Sequence, residues 1–285
     1  MPKVAIAAYV DNSGDNRFVR EANLMVYSGK GLSKDFTFVL YVHPEAINKI
    51  VPRDNLILIP CELPDIQFLN DYPYAKSLAF LDEKILSYDY IIKTDTDVFF
   101  TDKLNSFIFD ESIYCGPGYY MHNTEMKKKL EKYANKFGYP SYKHKESMHS
   151  TLFGPAIDIL EIIQKSYDLN EKLFYSMPEG EWGKTIYRFV SSMYATEIVL
   201  SGYEVKIISG IDMGSDQQSP VADAFHIHCF HSDTKYSKFK ERNGDYLTIK
   251  KMRDDGLLDS YCLNTYIDLR NRKELVYSKA VRIFN

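Results

Sequence analysis

Asp95 and Asp97 stand one residue apart where the apolar run Tyr90-Ile91-Ile92 gives way to Lys93-Thr94, and Val98-Phe99-Phe100 follows directly. In extended backbone that spacing puts both carboxylates on one side of the chain, about 6.6 Å apart along it. Hard cations such as Mg²⁺ and Mn²⁺ take oxygen ligands of this kind and keep coordination positions open for phosphate oxygens. Ligands of open α/β sheets collect at the carboxyl ends of parallel strands, so an acidic pair at the end of an apolar strand is placed to meet one. The plain alternative is two aspartates in an ordinary turn.

Such a pair needs a sheet to hold it, and the chain alternates strand and helix signals. Strands are expected over Val4–Val10, Phe36–Val42, Leu56–Ile59 and Tyr88–Ile92. Between them, Phe18–Tyr27 reads as a helix closed by Ser28-Gly29, Pro44 opens a short helix through Ile50, and a longer helix runs from Tyr74 to about Ser87. Strands separated by helices pair in parallel beneath them, so roughly the first 110 residues form a Rossmann-type half. Further on, helices are expected over Asn123–Phe137, Pro155–Tyr167 and Trp182–Leu200, with strands at Glu204–Ile208 and Phe225–Phe230. The lysines of Asn123–Phe137 read as a solvated face. From Ser232 the tail is charged and tyrosine-rich, with a helix near its end. No repeat, low-complexity tract or Pro/Gly linker interrupts the chain, which implies one domain of two abutting halves.

The 285 residues carry 35 Lys+Arg against 39 Asp+Glu, a formal charge of −4. That balance argues against a nucleic-acid-binding surface and against a polybasic membrane anchor. The apolar opening ends at Asp11 without a cleavage pattern, so no secretory leader is expected, and no later run approaches the ~20 apolar residues of a membrane helix. Cys61, Cys115, Cys229 and Cys262 are scattered without a CxxC pair, as in thiols of a reducing compartment. A cytoplasmic location is expected. Neither GxGxxG nor GxxxxGK[ST] occurs, so a bound nucleotide would need another source of positive charge, and a divalent metal is the obvious one.

An alternating α/β half whose fourth strand ends in Thr94-Asp95-Thr96-Asp97-Val98-Phe99-Phe100 resembles the GT-A-fold, nucleotide-sugar-dependent glycosyltransferases. The likeness covers the layout of about residues 3–231, and only the DxD segment is specific. It implies a GT-A-like mixed sheet flanked by helices. It also implies a divalent metal, Mn²⁺ or Mg²⁺, held by Asp95 and Asp97 against the diphosphate of a UDP- or GDP-sugar, with Thr96 in the same cofactor-binding segment.

The resemblance further implies a late histidine ligand. Phe225-His226-Ile227-His228-Cys229-Phe230-His231 matches, with His226 and His228 on one strand face and Phe225, Ile227 and Cys229 on the other. Mn²⁺ accepts imidazole beside carboxylates; His228 is the expected ligand and His226 its competitor. A carboxylate near the acceptor is also implied. Glu197, on the apolar stripe Ile186, Phe189, Met193 and Leu200 of the Trp182–Leu200 helix, is the candidate base for an acceptor hydroxyl. Paired with a lysine or arginine at the edge of that stripe, it would be structural instead.

Lys235 and Lys238 are candidates to neutralise the departing diphosphate, although the HxxGxxKPW form is missing. Tyr9, Val10 and Asp11, at the end of the first strand, are candidates to meet the nucleoside, and Lys76 to approach the donor. Thr151-Leu152-Phe153-Gly154-Pro155, ahead of a helix, is a candidate loop that offers backbone N–H groups to the sugar, or else a plain Gly-Pro helix start, and Trp182 is an aromatic face or a core residue.

Residues 1–231 are therefore expected to form the catalytic domain, about 1–110 binding the nucleotide-sugar and about 111–231 the acceptor, with 232–285 a C-terminal extension packed on it. The expected function is transfer of a sugar to a glycan, glycoprotein or small-molecule acceptor, with no nucleic acid and no integral membrane segment involved. Two alternatives stand beside it. One is a haloacid-dehalogenase-type phosphatase, whose DxDx[TV] signature Asp95-Thr96-Asp97-Val98 satisfies and whose late acidic pair Asp254-Asp255 could supply. The other is a non-catalytic carbohydrate-binding α/β protein. A sugar nucleotidyltransferase is disfavoured, because Asp11-Asn12-Ser13-Gly14-Asp15-Asn16 is acidic where a basic, glycine-rich loop is wanted.

Overall fold

The computed structural model describes residues 2–117, 124–139, 142–143, 150–181, 185–215, 218–229 and 235–275. Among these the fold is α/β. Ten strands are β1 (Val4–Val10), β2 (Phe36–Val42), β3 (Leu56–Pro60), β4 (Tyr90–Lys93), β5 (Val98–Phe100), β6 (Ile113–Cys115), β7 (Leu152–Pro155), β8 (Val205–Ile207), β9 (Met213–Gly214) and β10 (His226–His228). Eight helices are α1 (Arg17–Ser28), α2 (Gln67–Asp71), α3 (Lys76–Ala79), α4 (Thr124–Lys136), α5 (Ala156–Ser176), α6 (Ser191–Leu200), α7 (Lys238–Arg242) and α8 (Leu258–Asn271).

Seven strands form one mixed sheet in the order β3-β2-β1-β4-β7-β6-β8. The β3-β2-β1-β4 part is parallel, as the strand–helix alternation implies, and β7 then runs antiparallel to β4 and β6. Strand order reverses between β1 and β4: the chain builds outward to β3 and returns to the other side of β1. That is the Rossmann-like switch point, and open α/β sheets bind their ligands outside the carboxyl ends of the strands at such a point. Asp11 follows β1 there, and Asp95 lies just past Lys93, whose strand partner in β1 is Ala7.

Alternation along β1 and β2 divides the core. Ala5, Ala7, Val39 and Tyr41 point into a cluster with α5 and α6; Val4, Ile6, Ala8, Phe38 and Leu40 point into a second one beneath α1. A sheet covered on both faces needs continuous apolar strands, which explains why β2 reads Phe-Thr-Phe-Val-Leu-Tyr-Val.

A second sheet, β5-β10-β9, carries the histidines. β10 runs antiparallel to β5 with His228 opposite Val98 and His226 opposite Phe100, and Cys229 N–H donates to the Asp97 carbonyl at 2.9 Å. The C-terminal residues lean on this sheet: Tyr236, Tyr246, Leu258, Cys262 and Tyr266 share a core with Leu24, Tyr27, Phe99 and Ile227.

Several local expectations need correction. The helix expected from Tyr74 to Ser87 is broken into α3 and a 3-10 turn over Glu83–Ser87. The break is at Asp82, extended at φ −126°, whose carboxylate accepts from Lys84 N–H and Tyr41 Oη–H, an alternative to helical bonding. The helix expected from Trp182 begins only at Ser191. Its described forerunner Thr185-Ile186-Tyr187-Arg188-Phe189-Val190 is rich in β-branched and aromatic residues, and Tyr187 is extended. After Pro44 only a 3-10 turn forms, over Ile47–Lys49. Thr151-Leu152-Phe153-Gly154-Pro155 is not a loop: β7 pairs with β4 along its length, and Gly154 leaves room for Ile113 and Ile159, which a Cβ would meet at 3.0 and 3.3 Å. Its backbone is therefore committed to the sheet. Trp182 and His231 lie outside the described residues.

Candidate metal centre

β4 ends at Lys93 because the chain bends at Thr96-Asp97 before β5 begins. The two aspartates therefore sit in a turn between strands of different sheets, not along one extended strand. β10 then lays His228 beside Val98, the residue after Asp97. The result is a group in which one ligand atom each from Asp95, Asp97 and His228 lies within 4.8 Å of the others. Two carboxylates and an imidazole are a donor set that Mn²⁺ accepts, and Mg²⁺ less readily because it favours oxygen. These three residues could hold a cation.

His228 is oriented from behind. Its Nε2 is 3.4 Å from Asp97 Oδ1, and its Nδ1 is 3.2 Å from Asp212 Oδ1. A carboxylate on the far nitrogen is the usual way in which a ligating imidazole is aimed and made more basic. Asp212 is buried in the left-handed region at φ 59°, which Asp tolerates better than most residues. It also accepts from Thr151 Oγ1 at 3.3 Å and faces His226 Nδ1 at 3.2 Å. The other nitrogen of His226 is 2.9 Å from Thr94 Oγ1. His226 thus shares the strand face of His228, but it braces Asp212 and Thr94 and stands outside the group that could hold the cation.

Burial alone would lower the pKa of His228, but the Asp97 and Asp212 carboxylates on either side raise it well above the usual histidine value. Those carboxylates favour the protonated ring, with which a cation would have to compete. Burial would push the Asp97 carboxyl up; the Lys238 ammonium and His228 outweigh it and hold the group far below the carboxylate range. Lys238 Nζ donates directly to Asp97 Oδ2. Lys93, fully buried at the end of β4, is pushed down by desolvation; its ammonium donates to the Ser150 carbonyl at 3.0 Å and lies 3.8 Å from Asp95 Oδ1.

At the end of β1 a smaller cluster forms. Lys76 Nζ donates to Asp11 Oδ2 at 2.8 Å, Tyr9 Oη donates to Asp11 Oδ1 at 3.4 Å, and the Tyr9 ring stacks on Phe80 with centroids 6.1 Å apart. Tyr9, Asp11 and Lys76 are thus brought together. Val10 is not available beside them: its side chain is buried beneath α1, and its carbonyl accepts from His43 N–H at 2.9 Å.

Other expected site residues are placed elsewhere. Thr96 turns its hydroxyl into the core, to Glu21 Oε2 at 3.1 Å, instead of toward a cofactor. Lys235 is held by Asp255 at 2.9 Å, Asp259 at 3.2 Å and Ser260 at 2.7 Å, so its ammonium is engaged away from Asp97. The same contact ties up Asp255 of the late acidic pair. Glu197 is buried on α6, and it is not one of the residues gathered at the cation group. Because α6 starts at Ser191, the stripe that placed Glu197 loses Ile186 and Phe189 as helical positions. Asp212 was not singled out by sequence reasoning; its only local mark is an acid inside Gly210-Ile211-Asp212-Met213-Gly214.

The family described as "Domain of unknown function (DUF7164)" matches residues 24–273. The chain belongs to that family. The DUF7164 span takes in Asp95, Asp97, Asp212, His228 and Lys238, and so the whole candidate centre. No curated protein matches the chain. None of the described helices is long and apolar enough to cross a membrane.

Proposed function

We propose that this protein is a metal-dependent glycosyltransferase of GT-A-like architecture that moves a sugar from a nucleotide-sugar to an acceptor hydroxyl. The observation that carries the reading is the β5–β10 register, which joins His228 to Asp95 and Asp97 just past the carboxyl end of β4. A cation bound there supplies charge neutralisation for a diphosphate leaving group. The chain's own residues do the rest. Asp95, Asp97 and the neutral ring of His228 hold, Asp212 fixes the ring, and the Lys238 ammonium is placed to meet phosphate oxygens once Asp97 turns to another partner. Asp11, with Tyr9 and Lys76, offers a carboxylate to ribose hydroxyls from the end of β1. The imidazole supports this reading over the haloacid-dehalogenase type, which has no use for an Asp212–His228–Asp97 chain. The acceptor would be a glycan, a protein or a small molecule.

A thermal-shift panel tests it: UDP, GDP, CMP and inorganic phosphate, each with Mn²⁺, Mg²⁺ or EDTA. A ligand at 100 times its Kd stabilises by about 2.7 kcal/mol, enough to resolve. The expected result is a Mn²⁺-dependent shift with one nucleoside diphosphate, lost in Asp97→Ala while the circular dichroism spectrum stays native. Stabilisation by phosphate with Mg²⁺ and no base preference would favour the phosphatase instead. No cation-dependent shift at all would remove the metal centre.

A further inference from the structure

α7 has five residues, Lys238-Phe239-Lys240-Glu241-Arg242, and positions i, i+3 and i+4 share one face. All three residues on that face are committed. Lys238 donates to Asp97, Glu241 accepts from Arg20 Nε at 2.7 Å, and Arg242 donates to Glu21 Oε1 through Nε at 3.2 Å and Nη2 at 2.6 Å. Adjacent residues of α1, in the order Arg20-Glu21, thus meet Glu241-Arg242 in the complementary order. The helix is seated by Ser237, whose hydroxyl accepts from Phe239 N–H, and by Tyr236, whose ring meets Phe99 of β5 edge-on at 5.3 Å.

Glu21 divides its two oxygens: Oε1 takes the Arg242 guanidinium and Oε2 takes the Thr96 hydroxyl. Thr96 stands between the two aspartates, and both it and Glu21 are about 5% exposed or less (5% and 4%). With the central residue pinned into the core, the bend cannot rotate without breaking a buried hydrogen bond, so its neighbours stay turned toward His228.

We infer that Glu21 is a positioning residue of the candidate metal centre, which acts through the Thr96 hydroxyl and is itself oriented by Arg242 of α7. This rests on the metal-centre reading above. The C-terminal segment then enters the site twice, directly through Lys238 and indirectly through Arg242, Glu21 and Thr96. Groups hydrogen-bonded to a metal's ligands typically alter its affinity 10- to 100-fold when replaced, and Glu21 and Thr96 act a step further out, so their effect is expected at or below the lower end of that range.

The test is Mn²⁺ alone, titrated calorimetrically into the full chain and into Thr96→Val, Glu21→Gln and the double variant, with thermal melts alongside. Each single variant should weaken Mn²⁺ binding measurably, by up to about 10-fold, and the double should be no weaker than the worse single, because both act through one hydrogen bond. Unchanged Mn²⁺ affinity with a lowered Tm would make Glu21 a merely structural ion-pair partner and overturn the inference. Losses that multiply in the double variant would overturn the route through Thr96. If Glu21→Gln does not fold, Thr96→Val, which keeps the side-chain volume, decides alone. A wild-type chain that binds no Mn²⁺ overturns the metal centre itself and this inference with it, an outcome distinct from selective failure of the variants.

Discussion

Arg20→Met should be among the most damaging single changes that leave the candidate cation ligands untouched. Arg20 and Glu241 meet at 2.7 Å with side chains only 2% and 1% exposed, so water cannot replace a lost partner. Removing one member of such a pair strands a buried charge, which costs about 3–5 kcal/mol. Scaled to a chain of this size, at ~2 °C per kcal/mol, Tm should fall by roughly 6–10 °C. The loss should depend on pH in a direction the structure sets. Burial already raises Glu241 above the usual glutamate value, and Arg20 is the main influence pulling it down; without Arg20 it rises further. A carboxyl raised in the folded state contributes stability below its unfolded pKa and loses it as pH rises through the folded one. The defect of Arg20→Met should therefore shrink toward pH 5 and widen toward pH 8. The double variant Arg20→Met/Glu241→Leu removes both charges and fills much of their volume, so it should recover most of the wild-type Tm. Scanning calorimetry from pH 5 to 8 on all three proteins is the assay. A pH-independent defect, or a double variant as unstable as the single, would refute the stranded-charge account.

Lys238→Met should split two affinities. Mn²⁺ alone should bind more tightly, because Asp97 no longer has an ammonium to give up, while a nucleoside diphosphate with Mn²⁺ should bind about 10- to 150-fold more weakly for a lost charge-assisted contact; isothermal titration with and without nucleotide reads both. Gly180→Ala should destabilise by about 1–3 kcal/mol or more, read as a lower denaturant midpoint at constant m. Its φ is +71°, and a Cβ would lie 1.9 Å from the Ile186 carbonyl oxygen. Of the four free thiols, only Cys61 is less than fully buried, so a disulfide reagent such as DTNB should label one thiol of the native chain and all four after denaturation. More than one fast-reacting thiol would contradict the packing of Cys115, Cys229 and Cys262.

What was legible in the sequence was what neighbours along the chain decide. β1, β2 and β4 announced themselves because strands covered on both faces must be apolar throughout, β3 by its short run Leu56-Ile57-Leu58-Ile59 although it is a half-exposed edge strand, and strand–helix alternation imposed parallel pairing. Asp95 and Asp97 were legible as an acidic pair at a strand end, and the alternation of His226 and His228 put both on one face. The choice between those histidines was not local. It followed from the register of β10 on β5, which sets His228 level with the residue after Asp97 and leaves His226 to Thr94 and Asp212. β7 was not legible as a strand because nothing near Gly154 shows that β4 lies alongside, and the bond from the Thr96 hydroxyl was not legible because the acid that receives it belongs to α1. Glu197 looked core-facing, and it is buried, but a helical stripe cannot say which cleft its helix borders. The Arg20-Glu21 and Glu241-Arg242 pairs lie near opposite ends of the chain, and neither is unusual by itself. Local composition thus determined most of the strands and the candidate ligand types. Only the folded chain decided which of them meet, because strand pairing and buried ion pairs depend on distances in space that sequence spacing does not contain.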